Sequence, residues 1–136
     1  MKLCMIGTGY VGLVSGACFS DLGNSVICVD KDTKKIDNLK KGIMPIYEPG
    51  LDELVKKNHR LGKLKFTSNL KESVLKSDII FICVGTPTKR NSNAADLTQI
   101  FKLAKEISKY VKKFKIIITK STVPITTGDK IEKIIS

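Results

Sequence analysis

The sequence predicts an α/β fold, a doubly wound parallel sheet in three layers, and three observations carry that prediction. Short apolar runs alternate with segments of helical periodicity, two of those runs are continuously apolar, and a glycine-rich GTGYVG turn separates the first run from the first helical segment. Strands covered on both faces lose the in-out alternation of a half-exposed sheet. The continuous runs Ile79-Ile80-Phe81-Ile82-Cys83-Val84 and Ile116-Ile117-Ile118 are therefore expected to be central or near-central strands.

Taken in order, the strands are expected at Lys2 to Ile6, Ser25 to Val29, Leu64 to Thr67, Ile79 to Val84 and Lys115 to Thr119. After the first, Val11, Val14, Cys18 and Leu22 share one helical face, and Gly23 supplies the left-handed residue that commonly ends a helix. Asn69 with Glu72 three residues on marks the start of a short helix through Val74 and Leu75. Leu97, Ile100, Phe101, Ala104, Ile107 and Val111 form a longer stripe behind Asp96, with Gln99 completing a variant capping box. Ile131 to Ser136 is again helical, and it ends without a Gly or other C-cap signal, the pattern expected of a truncated chain.

Length and composition bound the rest. A chain of 136 residues with 42% apolar residues suits one domain with one core, and no repeat or linker divides it. The N-terminus opens into Met1-Lys2-Leu3-Cys4-Met5-Ile6 with no cleavable signal pattern, and no run approaches the roughly 18 to 20 apolar residues of a membrane span, so a cytoplasmic protein with no membrane partner is expected. The 4 cysteines, Cys4, Cys18, Cys28 and Cys83, lack metal or redox spacing and are expected to be reduced packing residues. The net charge of +11 raises the question of nucleic acid, but only Arg60 and Arg90 among 24 basic residues are arginine, and the lysines are spread along the chain. A solvated surface is expected, with no nucleic-acid partner. His59 stands alone, and no metal site is expected.

The glycine turn carries the chemistry. Gly7 permits a tight turn, Gly9 lets a pyrophosphate approach the backbone, and Gly12 allows close packing of helix on strand. A pyrophosphate placed there meets free N–H groups and the positive end of the helix dipole. Asp30 closes the second strand 18 residues after Gly12, where a carboxylate accepts hydrogen bonds from adenosine ribose hydroxyls and repels a 2′-phosphate. This Rossmann-type arrangement points to NAD over NADP, with Lys31, Lys34 and Lys35 near enough to soften that repulsion.

Four separated segments, IGTGYVGLVSGACFSDLG (Ile6 to Gly23), IYEPGLDELV (Ile46 to Val55), VGTPT (Val84 to Thr88) and KSTVP (Lys120 to Pro124), together resemble the UDP-glucose 6-dehydrogenase family, in its order and at about its spacing. The wider family includes GDP-mannose and UDP-N-acetylmannosamine dehydrogenases. Tyr47 before Glu48-Pro49-Gly50 and the KSTVP form look most like the UDP-glucose branch. The resemblance implies that Gly7, Gly9, Tyr10, Val11, Gly12, Asp30 and Lys35 hold the adenosine and pyrophosphate portions of NAD. It implies further that Thr86, Ser121 and Thr122 touch the nicotinamide half, and that Thr122 orients a water or substrate oxygen near the reacting carbon. For Ser121 and Thr122 a simpler role, capping the next helix, is also open.

Two positions depart from the family: Thr126, where glycine usually follows the proline of STVP by two residues, and Asn93, where glycine is common and Asn tolerates a left-handed backbone. Members of the family oxidise a primary alcohol to a carboxylate in two NAD-dependent hydride transfers through a cysteine thiolate. None of the cysteines here matches that nucleophile. The resemblance thus implies an NAD-binding domain over residues 1 to 136, with the nucleotide-sugar pocket, the nucleophile and the homodimer helix elsewhere, and a chain that does not turn over alone. The competing expectations are a stand-alone dinucleotide-binding module, which would not need YEPGL or KSTVP, and a basic nucleic-acid binder.

Overall fold

The computed structural model describes residues 1–136. Five strands form one parallel sheet: β1 (Lys2–Ile6), β2 (Ser25–Val29), β3 (Leu64–Thr67), β4 (Ile79–Ile82) and β5 (Ile116–Thr119), in the order β3-β2-β1-β4-β5. The chain turns back at β1, so crossovers before and after that point lie on opposite faces, as in doubly wound folds. Helices α1 (Tyr10–Asp21), α2 (Thr33–Lys40) and α3 (Leu51–Arg60) cover one face, and α4 (Leu70–Lys76), α5 (Thr98–Ser108) and α6 (Thr127–Ile135) cover the other.

Two apolar clusters follow from that layering. Leu3 and Met5 of β1 point to the first, with Leu13, Val26, Ile36 and Val55, while Cys4 and Ile6 point to the second, with Ile80, Ile82, Ile100 and Ile107. Alternate residues of one fully buried strand thus feed two cores, which is why β1 shows no polar face.

The strand positions agree with expectation except at two ends and one edge. β4 stops at Ile82 rather than Val84 because its neighbour β1 ends at Ile6: Cys83 N–H reaches the Ile6 carbonyl at 2.9 Å, and no strand continues beside Val84. β5 begins at Ile116 rather than Lys115, whose ammonium instead bonds the Leu75 and Ser77 carbonyls at the end of α4. β5 is also an edge strand among these residues, bonded only to β4, and not near-central. Its apolar run has another cause. Ile117 packs on the α5 and α6 side and Ile118 on the α1 side, so the pattern reports two covered faces and says nothing of how many strands flank it.

The buried face of α1 also differs from expectation. Val11, Cys18 and Leu22 are exposed and Val14 is half-buried, whereas Gly12, Leu13, Gly16, Ala17 and Ser20 are buried. Small residues bring the helix axis close to the sheet: a Cβ on Gly16 would stand 2.8 Å from Cys28 Sγ and 3.3 Å from Met5 Cγ. Close approach outweighs hydrophobicity in choosing the face here, so Cys18 is a surface thiol and not a packing residue. Gly23 does take the left-handed conformation, at φ 104°.

Asn69 caps α4 as expected, its side chain accepting Glu72 N–H at 3.1 Å. The cap of α5 falls one residue later than expected, at Leu97, although Asp96 still accepts Thr98 N–H at 3.0 Å. Helices α2 and α3 lie outside the expected elements; each is short and buries few apolar side chains, Ile36 and Leu39 in one, Leu51 and Val55 in the other. Their ends nevertheless carry local signals: Asp32 accepts Lys35 N–H at 3.1 Å to cap α2, and α3 has Asp52 and Glu53 in its first turn and Lys57, His59 and Arg60 in its last.

Candidate dinucleotide-binding site

All strands are parallel, so the loops after β1, β2, β4 and β5 leave from one edge of the sheet. That edge gathers Gly7 to Gly12, Asp30, Thr86 and Ser121-Thr122, and it is where ligands bind in open α/β sheets.

Gly7 and Gly12 are tightly packed in the turn, as the spacing implied. Gly7 stands at φ 105°, and a Cβ there would lie 2.8 Å from the Cys83 carbonyl oxygen. Gly12 admits no Cβ at all, since one would fall 1.8 Å from the Gly7 carbonyl oxygen. Gly9, the N-cap of α1, is different: a Cβ there would meet no atom within 4 Å, and no side chain caps the helix. The first intrahelical bond runs from Leu13 N–H to the Gly9 carbonyl at 3.0 Å, so the N–H groups of Tyr10, Val11 and Gly12 precede the ladder and have no acceptor within the chain. A helix N-terminus left open in this way fits a pyrophosphate. The Tyr10 and Val11 side chains are exposed, and the Tyr10 hydroxyl donates to Glu48 Oε2 at 3.2 Å, tying the glycine loop to the YEPGL segment.

Asp30 is held from several sides. Its Oδ2 accepts Thr8 N–H at 3.0 Å and Thr8 Oγ1–H at 2.7 Å, Oδ1 accepts Asp32 N–H at 2.9 Å, and Lys35 Nζ lies 3.6 Å from Oδ2. Partial burial on its own would push the carboxyl upward. The hydrogen bonds from Asp32 and Thr8 and the Lys35 charge together outweigh it and hold Asp30 below the usual carboxylate range. Asp30 is thus an anion at neutral pH at the end of β2, suited to ribose hydroxyls, with a lysine where the resemblance placed one. Sequence reasoning gave Thr8 no role. Its burial and its place beside the end of β2 follow from the Ile6–Val29 pairing, which no local pattern signals.

Thr86, Ser121 and Thr122 also reach the edge, but their hydroxyls differ in state. Thr86 Oγ1 donates to the Thr122 carbonyl at 2.9 Å, and Ser121 Oγ donates to the Val84 carbonyl at 2.6 Å, with the Ile82 carbonyl at 3.3 Å. These bonds lace the loop after β4 to the loop after β5, and neither residue caps α6. The Thr122 side chain is exposed and bonds nothing within the chain, which leaves it alone of the three free to donate to a ligand.

The two departures from the family pattern resolve differently. Thr126 is the N-cap of α6 and adopts φ 76°, ψ −7°, the left-handed conformation that glycine takes without strain. In the loop before α5 the left-handed residue is Asn91, at φ 62°, and not Asn93. Three of the cysteines are held as thiols: burial pushes Cys4 up to about 12 and Cys83 up to about 11, and raises Cys28 as well. No helix is long and apolar enough to cross a membrane.

Fold, glycine turn and terminal acid together define a dinucleotide-binding domain of the Rossmann type. The family model described as UDP-glucose/GDP-mannose dehydrogenase family, NAD binding domain, matches residues 1–136. The chain is 55% identical over 135 residues to UDP-glucose 6-dehydrogenase of Rhizobium meliloti (strain 1021), a match covering 99% of the chain and 31% of that protein. It is 48% identical to UDP-glucose 6-dehydrogenase TuaD of Bacillus subtilis (strain 168), over 98% of the chain and 29% of the relative. A ternary complex of GDP-mannose dehydrogenase from Pseudomonas aeruginosa superposes with a TM-score of 0.92 at 38% identity, covering 99% of this chain and 32% of that one. The chain belongs to the UDP-glucose/GDP-mannose dehydrogenase family and is its NAD-binding domain. It spans about 30% of the length of the curated relatives it matches.

Proposed function

We infer that these residues serve as the cofactor half of a UDP-glucose 6-dehydrogenase, which oxidises the primary alcohol of a UDP-linked glucose to a carboxylate. The curated relatives at 55% and 48% identity are UDP-glucose 6-dehydrogenases, which favours that substrate within the family. The thiolate nucleophile, the sugar pocket and the homodimer contact are assigned to parts of the enzyme outside these 136 residues.

Bound NAD supplies the hydride acceptor. Around it, the N–H groups of Tyr10, Val11 and Gly12 neutralise the pyrophosphate, while Gly9 keeps its approach clear and Gly7 and Gly12 shape the turn. Asp30 accepts from the adenosine ribose, and Lys35 balances the charge of that carboxylate and donates to ribose or phosphate oxygen. Thr86 and Ser121 set the floor of the nicotinamide half, and Thr122 presents its free hydroxyl to a water or substrate oxygen.

The observation that carries the reading is the uncapped, unobstructed N-terminus of α1 beside an ionised Asp30. Calorimetric titration tests it: NAD is expected to bind weakly but more tightly than NADP, and equal or reversed affinities would overturn it. UDP-glucose-dependent NADH formation by these residues alone is expected to be nil, and measurable turnover would refute the placing of the nucleophile elsewhere.

A further inference from the structure

Thr8 sits between Gly7 and Gly9, at a position the dinucleotide fingerprint leaves open, yet it is fully buried at 0% exposure. Both of its donors converge on one acceptor, N–H at 3.0 Å and Oγ1–H at 2.7 Å from Asp30 Oδ2. An ionised carboxylate oxygen offers about two lone-pair sites, so Thr8 fills Oδ2. Oδ1 takes one bond, from Asp32 N–H at 2.9 Å, and keeps one site free. The carboxylate is therefore held by three donors from two separate loops, and a turn about its side-chain torsions would break all three.

We propose that Thr8 is a positioning and specificity-determining residue for the dinucleotide: its hydroxyl locks the Asp30 carboxylate so that Oδ1 alone faces the adenosine ribose and cannot swing aside for a 2′-phosphate. The inference rests on the assignment of Asp30 to the ribose made above. A carboxylate free to rotate can leave the ribose edge, and the lysines at 31, 34 and 35 can then pair with the extra phosphate. A clamped carboxylate keeps its charge where a 2′-phosphate must go. Discrimination between the two dinucleotides thus depends on Thr8 as well as on Asp30. The low-lying Asp30 carboxyl, to which both Thr8 bonds contribute, accords with the clamp.

The test compares Thr8→Val, Thr8→Ser and Asp30→Asn with the unaltered chain, using calorimetric titration with NAD and with NADP and NMR titration of the Asp30 carboxyl without ligand. Valine matches the shape of threonine and keeps the backbone donor, so only the hydroxyl is lost. Thr8→Val is expected to weaken NAD about tenfold, to weaken NADP less and so narrow the preference, and to raise the pH at which Asp30 titrates. Thr8→Ser keeps all three properties. Equal losses of both dinucleotides in the Val and Ser variants point to packing alone and overturn the proposal, as does a Thr8→Val chain with unaltered preference and unaltered Asp30 titration. Asp30→Asn separates the two levels: if it leaves NAD affinity unchanged, the ribose assignment falls and this inference with it. If Asp30→Asn weakens NAD while Thr8→Val does not, the ribose assignment stands and the role of Thr8 falls.

Discussion

The two halves of the sheet's carboxyl edge are built on different terms. On the β1–β2 side the loops are short, the turn is shaped by glycines with atoms packed against them, and the key carboxylate is held by three hydrogen bonds and a lysine. On the β4–β5 side the loops are long, Thr122 is exposed and unbonded, Ile125 is 93% exposed, and a threonine carries a left-handed backbone. The first side lies over the centre of the sheet, where both cores meet beneath it, and the second extends to an edge strand. The order follows the core: the end assigned to the constant adenosine part is fixed by packed atoms and hydrogen bonds, while the end assigned to the nicotinamide leaves the Thr122 hydroxyl unbonded.

The largest expected effect that sharpens this contrast is at Gly12. Gly12→Ala places a methyl 1.8 Å from the Gly7 carbonyl, which should cost about 3 kcal/mol or more and lower the melting temperature by about 10 °C, with NAD binding lost. Its control is Gly9→Ala, whose added Cβ meets nothing within 4 Å: the melting temperature should hold within about 2 °C while NAD affinity drops, since the methyl then occupies the space meant for the pyrophosphate. Equal melting losses in both variants would show that the glycines serve only the turn.

Next comes the acid side of Asp30. Its carboxyl is lower in the folded chain than in the unfolded one, so the stability it contributes is complete above the unfolded carboxylate range, near pH 4, and is lost as pH falls through the folded value. The melting temperature of the unaltered chain should therefore exceed that of Asp30→Asn at neutral pH, and the gap should close in acid. A gap independent of pH would mean that the clamp does not act through charge.

Smaller effects belong to the looser side. Thr126→Gly relieves the backbone at φ 76° and should stabilise the chain by about 1 kcal/mol, raising the melting temperature by about 3 to 5 °C. Ser121→Ala removes the bond to the Val84 carbonyl and should cost about 1 kcal/mol, whereas Thr122→Val should fall within about 0.5 kcal/mol of the unaltered chain. Equal effects at 121 and 122 would erase the distinction between a hydroxyl that laces two loops and one left free for a ligand.

Much of this is legible in the sequence. Five strands, the glycine turn, Asp30 and Gly23 were legible because each depends on a local property: an apolar run, a backbone position only glycine fills easily, or an acid at a strand end. Helices α2 and α3 are less so, because each is short, 8 and 10 residues, and buries only two apolar side chains.

What the sequence by itself determined is the kind of fold and the glycine turn with its strand-end acid, since strand-forming runs and a glycine fingerprint act over a few residues. Tertiary structure alone decided the rest. Which face α1 buries depended on how closely Gly12 and Gly16 let it approach the sheet, and the edge position of β5 depended on strand order. The clamp on Asp30 joins residues 22 positions apart. Only parallel pairing of β1 with β2 brings them together, and no pattern along the chain encodes a contact made by the register between two strands.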